Sequence, residues 1–479
     1  MVIGIILSLV LLTCIAYKGL SVILFAPVCA LLAAITAGWP LMPAYTEVFM
    51  VRGVIYVKNF FPVFLLGAVF GKVMEDSGCA RSIARFFAEK LGTRYAVVAV
   101  ALSTAVLTYG GVSMFVVPFA VYPFAYILFK DGGIPRRLIP GAISIGSFTF
   151  SMTAMPGSPQ IQNMIPSNYF GTTLFAAPVF GICGAIIIAV TNIVWIVWRQ
   201  RTLMAKGEGF GQLDHRALTN FDDGVGDVHP YLAMVPLLVV LIGNIVLTWV
   251  IRGWDPYFTG WDKSVLDVPV ASLAARYKGM ANTTIPGVAT NWALIIALVA
   301  AIITAILISW KQFSARKNLQ ACLNAGAIGS LLAIMNTASE VGYGNVVSSL
   351  PGFTVVKDAM MAIDFGTPLV SEALVINVLA GITGSASGGM SIALEAMGQQ
   401  YLEWGARVGI GPELLHRVAA MASGGFDSFP HNGAIITLMA ICGMTHKESY
   451  PDCGMCSVIV PFVTTFFLVF VWTILGLKS

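Results

Sequence analysis

Residues 95–129 read YAVVAVALSTAVLTYGGVSMFVVPFAVYPFAYILF. No Asp, Glu, Lys or Arg occurs in this run, and Gly110-Gly111 interrupts its centre. A helix needs about 20 residues to cross the hydrocarbon core, so the run is too long for one crossing and short for two. Two half-depth helices joined at a small-residue tip account for that length, and the run is read as a re-entrant hairpin. A second apolar stretch, 367–404, has a similar length and is interrupted by Thr383-Gly-Ser-Ala-Ser-Gly-Gly389. It is read as a second hairpin.

The whole chain agrees with a membrane setting. Its 479 residues are 57% hydrophobic and only 10% charged, where a soluble protein carries about 25% charged residues. Too little charge is available to cover a globular surface, which excludes soluble enzymes and disordered proteins. The expected fold class is an all-α polytopic membrane protein. A net charge of +4 points to no polyanionic partner and no nucleic acid. The eight cysteines are scattered, several inside apolar runs, so no disulfide framework is expected. Cys453-Gly-Met-Cys456 has metal or redox spacing but lacks a second such pair or a nearby His cluster. It is read as small residues at a helix start, with no metal and no cofactor. No basic region precedes the first apolar run, which is therefore a span and not a cleaved signal.

On the 20-residue ruler, spans are expected near 2–17, 19–38, 56–75, 138–164, 174–198, 230–251, 289–310, 319–347, 412–443 and 455–477. Basic residues orient them. Arg81, Arg85, Lys90 and Arg94 precede the first hairpin, and Lys130, Arg136 and Arg137 follow it. A single crossing would leave one cluster outside, against the positive-inside tendency, whereas a hairpin entering from the cytoplasm keeps both inside. Lys18, Arg199, Arg201, Lys206, Lys311, Arg316, Lys317 and Lys447 fall inside on the same count. Residues 252–288, with Trp254 and Trp261, fall outside, and both termini come out extracytoplasmic.

Two matching halves result. Residues 1–198 hold three spans, the cytoplasm-entering hairpin 95–129, a broken span 138–164 and a last span. Residues 230–479 repeat the order, with the hairpin 367–404 entering from outside and a broken span 412–443. Five full crossings per half is an odd number, so the halves are expected to be inverted repeats. Residues 199–229 are a polar cytoplasmic linker. Gly110-Gly-Val-Ser113 is echoed by Gly388-Gly-Met-Ser391, and the Pro-containing break 155–163 by Asp427-Ser-Phe-Pro-His-Asn-Gly433. Paired Gly/Pro-interrupted segments are the best sequence pointer to a transporter's binding site.

Unwound backbone at membrane depth is tolerated only where it is buried in protein or lines a wet cavity. Half-helix N-termini there offer free amides that favour anions. The candidate substrate-binding residues are Gly110, Gly111, Ser113, Ser158, Gln160 and Asn163 in the first half. Ser385, Ser387, Gly388, Gly389, Ser391 and Asn432 are their counterparts in the second. An isolated Gly-Ser pair usually serves only close helix packing; four breaks in a twofold pattern favour a site. Neither hairpin and neither break contains Lys or Arg, so amides and hydroxyls would hold a substrate carboxylate, which favours a small monocarboxylate. Ionisable residues at depth are the candidates for coupling: Asp427 and His431 first, then Glu340 and Glu372. The bland alternative for His431 is a side chain holding a backbone carbonyl at an unwound turn.

At these residues the sequence resembles the gluconate permease (GntP) family of the ion-transporter superfamily. The stretch Thr153-Ala-Met-Pro-Gly-Ser-Pro-Gln-Ile-Gln-Asn163 is most similar to its D-3-hydroxybutyrate permeases. The resemblance covers essentially the whole chain. It implies a proton-coupled symporter for small organic acids, a homodimer in the inner membrane, and an elevator-type motion. Pro430-His431-Asn432-Gly433 stands where gluconate carriers of the family have a His-x-Asn-Asp pattern. The Ser-Asn-Thr motifs of sodium-coupled relatives are absent, which favours a proton over sodium. Import of a (hydroxy)carboxylate such as 3-hydroxybutyrate is therefore the expected function. A gluconate or sugar-acid proton symporter, a sodium-coupled dicarboxylate carrier, a channel and an intramembrane enzyme are the alternatives. A doubled architecture suits alternating access, and catalysis has no need of it.

Overall fold

The structure is a computed structural model that describes residues 2–17, 21–114, 116–211, 228–253, 285–316, 318–355, 358, 366–430 and 432–477. The expected turn at Lys18, much of the linker, most of 252–288, Lys317 and His431 lie outside the described residues.

Among the described residues the chain is helical, with no strand. The first half contains α1 (Val2–Tyr17), α2 (Val22–Thr36), α3 (Leu41–Asp76), α4 (Cys79–Leu91), α5 (Ala96–Tyr109), α6 (Val117–Asp131), α7 (Ile139–Ser147), α8 (Ile161–Phe170) and α9 (Pro178–Ala205). After it come α10 (Pro230–Arg252), α11 (Ile285–Ile308), α12 (Leu319–Ser349), α13 (Pro368–Thr383), α14 (Ala386–Val408), α15 (Pro412–Ser423), α16 (Gly433–Ile441) and α17 (His446–Ile474). By length and composition, α3, α9, α10, α11, α12 and α17 can each cross a membrane. Their outward faces are apolar: Val190 is 55% exposed, Trp249 79%, Ile328 68% and Phe470 63%. Contiguous exposed apolar faces of this kind mark contact with a membrane. The protein is a multi-pass membrane protein.

Helix lengths depart from the expected spans for identifiable reasons. α3 starts at Leu41, ahead of the expected 56, because Glu47 and Arg52 interrupt the hydropathy without interrupting the helix. Arg52 is accommodated by an ion pair to Glu395 at 2.9 Å. α9 continues to Ala205, so residues 199–205 of the expected linker are helical. Arg, Gln, Leu, Met and Ala are all good helix formers, and Arg199 is held by Asp452 Oδ1 at 2.6 Å. α1 has 16 residues and α2 has 15. At 1.5 Å per residue each is roughly 24 Å or less, short of the ~30 Å hydrocarbon core.

α4 was expected only as a basic cluster. It is an amphipathic helix that buries Cys79, Ala80, Ser82, Ile83 and Ala84 and turns Arg85 and Glu89 outward as an ion pair at 2.8 Å. It meets the following helix at a bend of 106°.

The packing sets two groups of helices around the site. In one, α3 lies along α12, α2 packs on α12 and α11 on α3, while α1 pairs with α2 and α10 with α11. In the other, α5 contacts α6 and α7, α13 contacts α14 and α15, and α9 lies against α17. α12 touches α14, which joins the groups.

Candidate functional site

Both apolar runs break where their small residues fall. Between α5 and α6, Gly111 has φ +98°, a conformation L side chains rarely adopt. Between α13 and α14 the arms come so close that a Cβ on Gly389 would overlap the backbone of Ala380. The two helix breaks are equally specific. α7 ends at Ser147, a single turn covers Phe150–Thr153, and α8 starts at Ile161. α15 ends at Ser423, a 3-10 turn covers Phe426–Ser428, and α16 starts at Gly433.

Carboxamides pin each break to the neighbouring hairpin. Gln160 Nε2 donates to Thr108 O at 2.7 Å and Val112 O at 3.2 Å. Asn432 Nδ2 donates to Gly384 O and Asp427 O, each at 2.9 Å. Its Oδ1 caps α16 by accepting from the N–H groups of Ala434 at 2.6 Å and Ile435 at 3.1 Å, which satisfies orphan donors of a helix start. Freed backbone groups at membrane depth are thus re-paired by side chains.

Hairpin tips and breaks meet at one cavity of about 740 Å³. It runs from these tips toward Ser21 at the start of α2, Lys72 near the end of α3 and Ala325 in the first part of α12. Of the expected substrate residues, Gly111, Ser113, Gln160, Ser385, Ser387 and Asn432 line it, and so do the coupling candidates Glu340 and Asp427. The structure places Gly110, Ser158, Asn163, Gly388, Gly389 and Ser391 off its wall. A Cβ on Gly110 would meet Leu237 of α10 at 2.5 Å, so that glycine serves packing. Ser158 and Ser391 are fully buried and their hydroxyls have no partner. Glu372 is also fully buried, off the wall, with both carboxyl oxygens unpartnered.

Asn163 belongs to a buried network that the sequence reading missed. Arg417 of α15 is 0% exposed and donates from Nη1 to Asn163 Oδ1 at 2.8 Å. Its Nη2 donates to Leu174 O at 2.9 Å and Ala176 O at 2.8 Å. Asn163 Nδ2 donates to Ser158 O at 2.8 Å and Leu174 O at 2.9 Å, and His416 Nε2 lies 3.1 Å from Asn163 Oδ1. A planar guanidinium with five donors suits several carbonyls at once. The available signal was an Arg inside the apolar sequence of α15, since intramembrane ionisable residues are rare and purposeful.

Electrostatically the cavity is lopsided. Among the described lining residues, Lys72 is the single cation, and Glu340 and Asp427 are the acids. Lys72 is already engaged, with Nζ 3.1 Å from Glu75 Oε2 and 2.9 Å from Asp76 Oδ1. Asp427 Oδ1 accepts from Ser428 Oγ at 3.1 Å. Deep in the cavity, polarity comes from hydroxyls: Thr337 Oγ1 lies 3.3 Å from Ser387 Oγ, and Ser385 Oγ lies 3.4 Å from the same atom. The described residues contain no cluster of His, Cys, Asp and Glu able to hold a metal ion.

No protein-family model matches the chain. It is 44% identical over 456 residues to the Bacillus subtilis (strain 168) protein named "Uncharacterized transporter YxjC", covering 94% of both chains. Among solved structures, the crystal structure of the Alcanivorax borkumensis YdaH transporter is similar in fold. That match has a TM-score of 0.55 and 16% identity, and covers 89% of this chain and 88% of the other.

Proposed function

The chain belongs to the transporter family that includes Bacillus subtilis YxjC, and from that premise we propose that it is a secondary carrier importing a small organic carboxylate by proton symport. A GntP-type carrier for a hydroxy acid such as 3-hydroxybutyrate is the specific reading. The observation that carries it is the single cavity where two hairpin tips and two helix breaks converge, walled by Ser and Thr hydroxyls and two acids. A small anion fits the amides and hydroxyls there. Two carboxyl groups in the same space supply sites for the coupling proton.

The order of helix pairings recurs between the halves: α1 with α2 and α10 with α11, α2 with α12 and α11 with α3, α5 with α7 and α13 with α15. This supports an inverted-repeat carrier in which the hairpins and breaks form the moving part and α3 and α12 the dimeric scaffold. The cavity reaches the ends of α2, α3 and α12 that basic residues assign to the cytoplasm, which corresponds to an inward-facing state. Both termini then lie outside an inner membrane. Counterflow tests the reading. Proteoliposomes preloaded with unlabelled D-3-hydroxybutyrate are expected to take up labelled acid transiently above equilibrium. Simple equilibration would point to a channel, and no uptake would remove this substrate class.

A further inference from the structure

Glu340 projects from α12 onto the first turn of α14. It is 3% exposed, and its Oε2 has no hydrogen-bond partner. A Cβ on Gly388 would overlap that oxygen, so the carboxyl rests over the third residue of a 23-residue helix. The start of α14 carries N–H groups without intrahelical acceptors and the positive end of the helix dipole. Ser385 Oγ takes one of these by accepting from Gly388 N at 3.1 Å. The same turn presents Ser385 and Ser387 to the cavity. A buried carboxyl, with Oε2 free of hydrogen bonds and Ser385 beside it, therefore sits where an incoming carboxylate would dock.

We propose that Glu340 and the substrate carboxylate are alternative occupants of the first turn of α14, and that a proton on Glu340 vacates it for substrate. This inference rests on the carboxylate-carrier reading above. Ionised Glu340 holds the seat, and two carboxylates at one site cannot both stay charged. Protonation removes the repulsion, so one anion enters with one proton. Other titratable groups leave Glu340 as the switch. From α3, Tyr56 faces Glu340, and Lys72 at the cavity wall is engaged by Glu75 and Asp76. From α14, Glu395 is held by Arg52 at 2.9 Å and by Tyr169 at 3.1 Å. α2 offers only Cys29, and Asp427 lines the same cavity with Ser428 on its carboxylate.

The experiment measures binding of acetate, D-3-hydroxybutyrate and gluconate to the purified full-length protein by thermal stabilisation, over a pH range in which these acids stay ionised. Wild-type affinity is expected to rise about tenfold as pH falls, within the usual span of coupling between two sites. Glu340→Gln, a neutral isostere, is expected to bind with little pH dependence and at the tighter acidic-limit affinity throughout. Glu340→Ala serves the same purpose if the Gln variant is not folded. A Gln variant that keeps the wild-type pH dependence overturns the inference alone, as does a folded variant that binds at no pH. A wild-type protein stabilised by none of the acids overturns the carboxylate reading and the inference together.

Discussion

Arg417 brings a positive charge into a fully buried position where no carboxylate lies within ion-pair distance among the described residues. Its stability there rests on carbonyls of Leu174 and Ala176 and on Asn163 Oδ1, so it ties the first helix break to α15. Arg417→Met is expected to destabilise the protein by about 3 kcal/mol or more, since hydrogen bonds to charged groups contribute roughly 1.5–3 kcal/mol each. Arg417→Lys should fall between, keeping the charge and losing the fork. Thermal unfolding in detergent checks both. A Met variant as stable as wild type would show that the break is held by something else. The seat on α14 gives a second residue-scale prediction. Gly388→Ala should lower the melting temperature through its overlap with Glu340, and Glu340→Ala should restore it in the double variant. Additive losses would contradict the contact.

Helices show how far the sequence could be read. The gaps 110–116 and 384–385 between apolar arms were legible because Gly and Ser clusters inside apolar runs have few other uses. The breaks near 155–160 and 424–432 were legible from their prolines. Helix ends were not, because hydropathy marks where lipid ends and not where hydrogen bonding ends; α3 and α9 both continue through charged residues. Among the site residues, Gly111, Ser113, Gln160, Ser385, Ser387 and Asn432 reach the cavity. Gly110, Ser158, Gly388 and Gly389, also at tips and breaks, do not, and Asn163 and Ser391 are buried in protein. Sequence spacing locates a break but not the face its side chains turn. Orientation is tested at this scale. With native cysteines replaced, Asp131→Cys is expected to react with an impermeant thiol reagent only after permeabilisation, and Met42→Cys, 67% exposed at the other end, in intact cells. The opposite pattern would invert the whole topology.

For the molecule as a whole, the two helix groups meet around one cavity, and the links on its far side differ from those within each group. Arg52 of α3 pairs with Glu395 of α14, and Tyr169 of α8 joins the same carboxylate. These are exposed or half-buried contacts, individually weak. Coupling requires that anion and proton bind interdependently. The central claim is therefore tested most directly by accumulation of labelled D-3-hydroxybutyrate in sodium-free proteoliposomes under an inward proton gradient. Accumulation above equilibrium that collapses with a protonophore is the predicted result. Uptake that ignores the pH gradient and instead follows an imposed sodium gradient would contradict it.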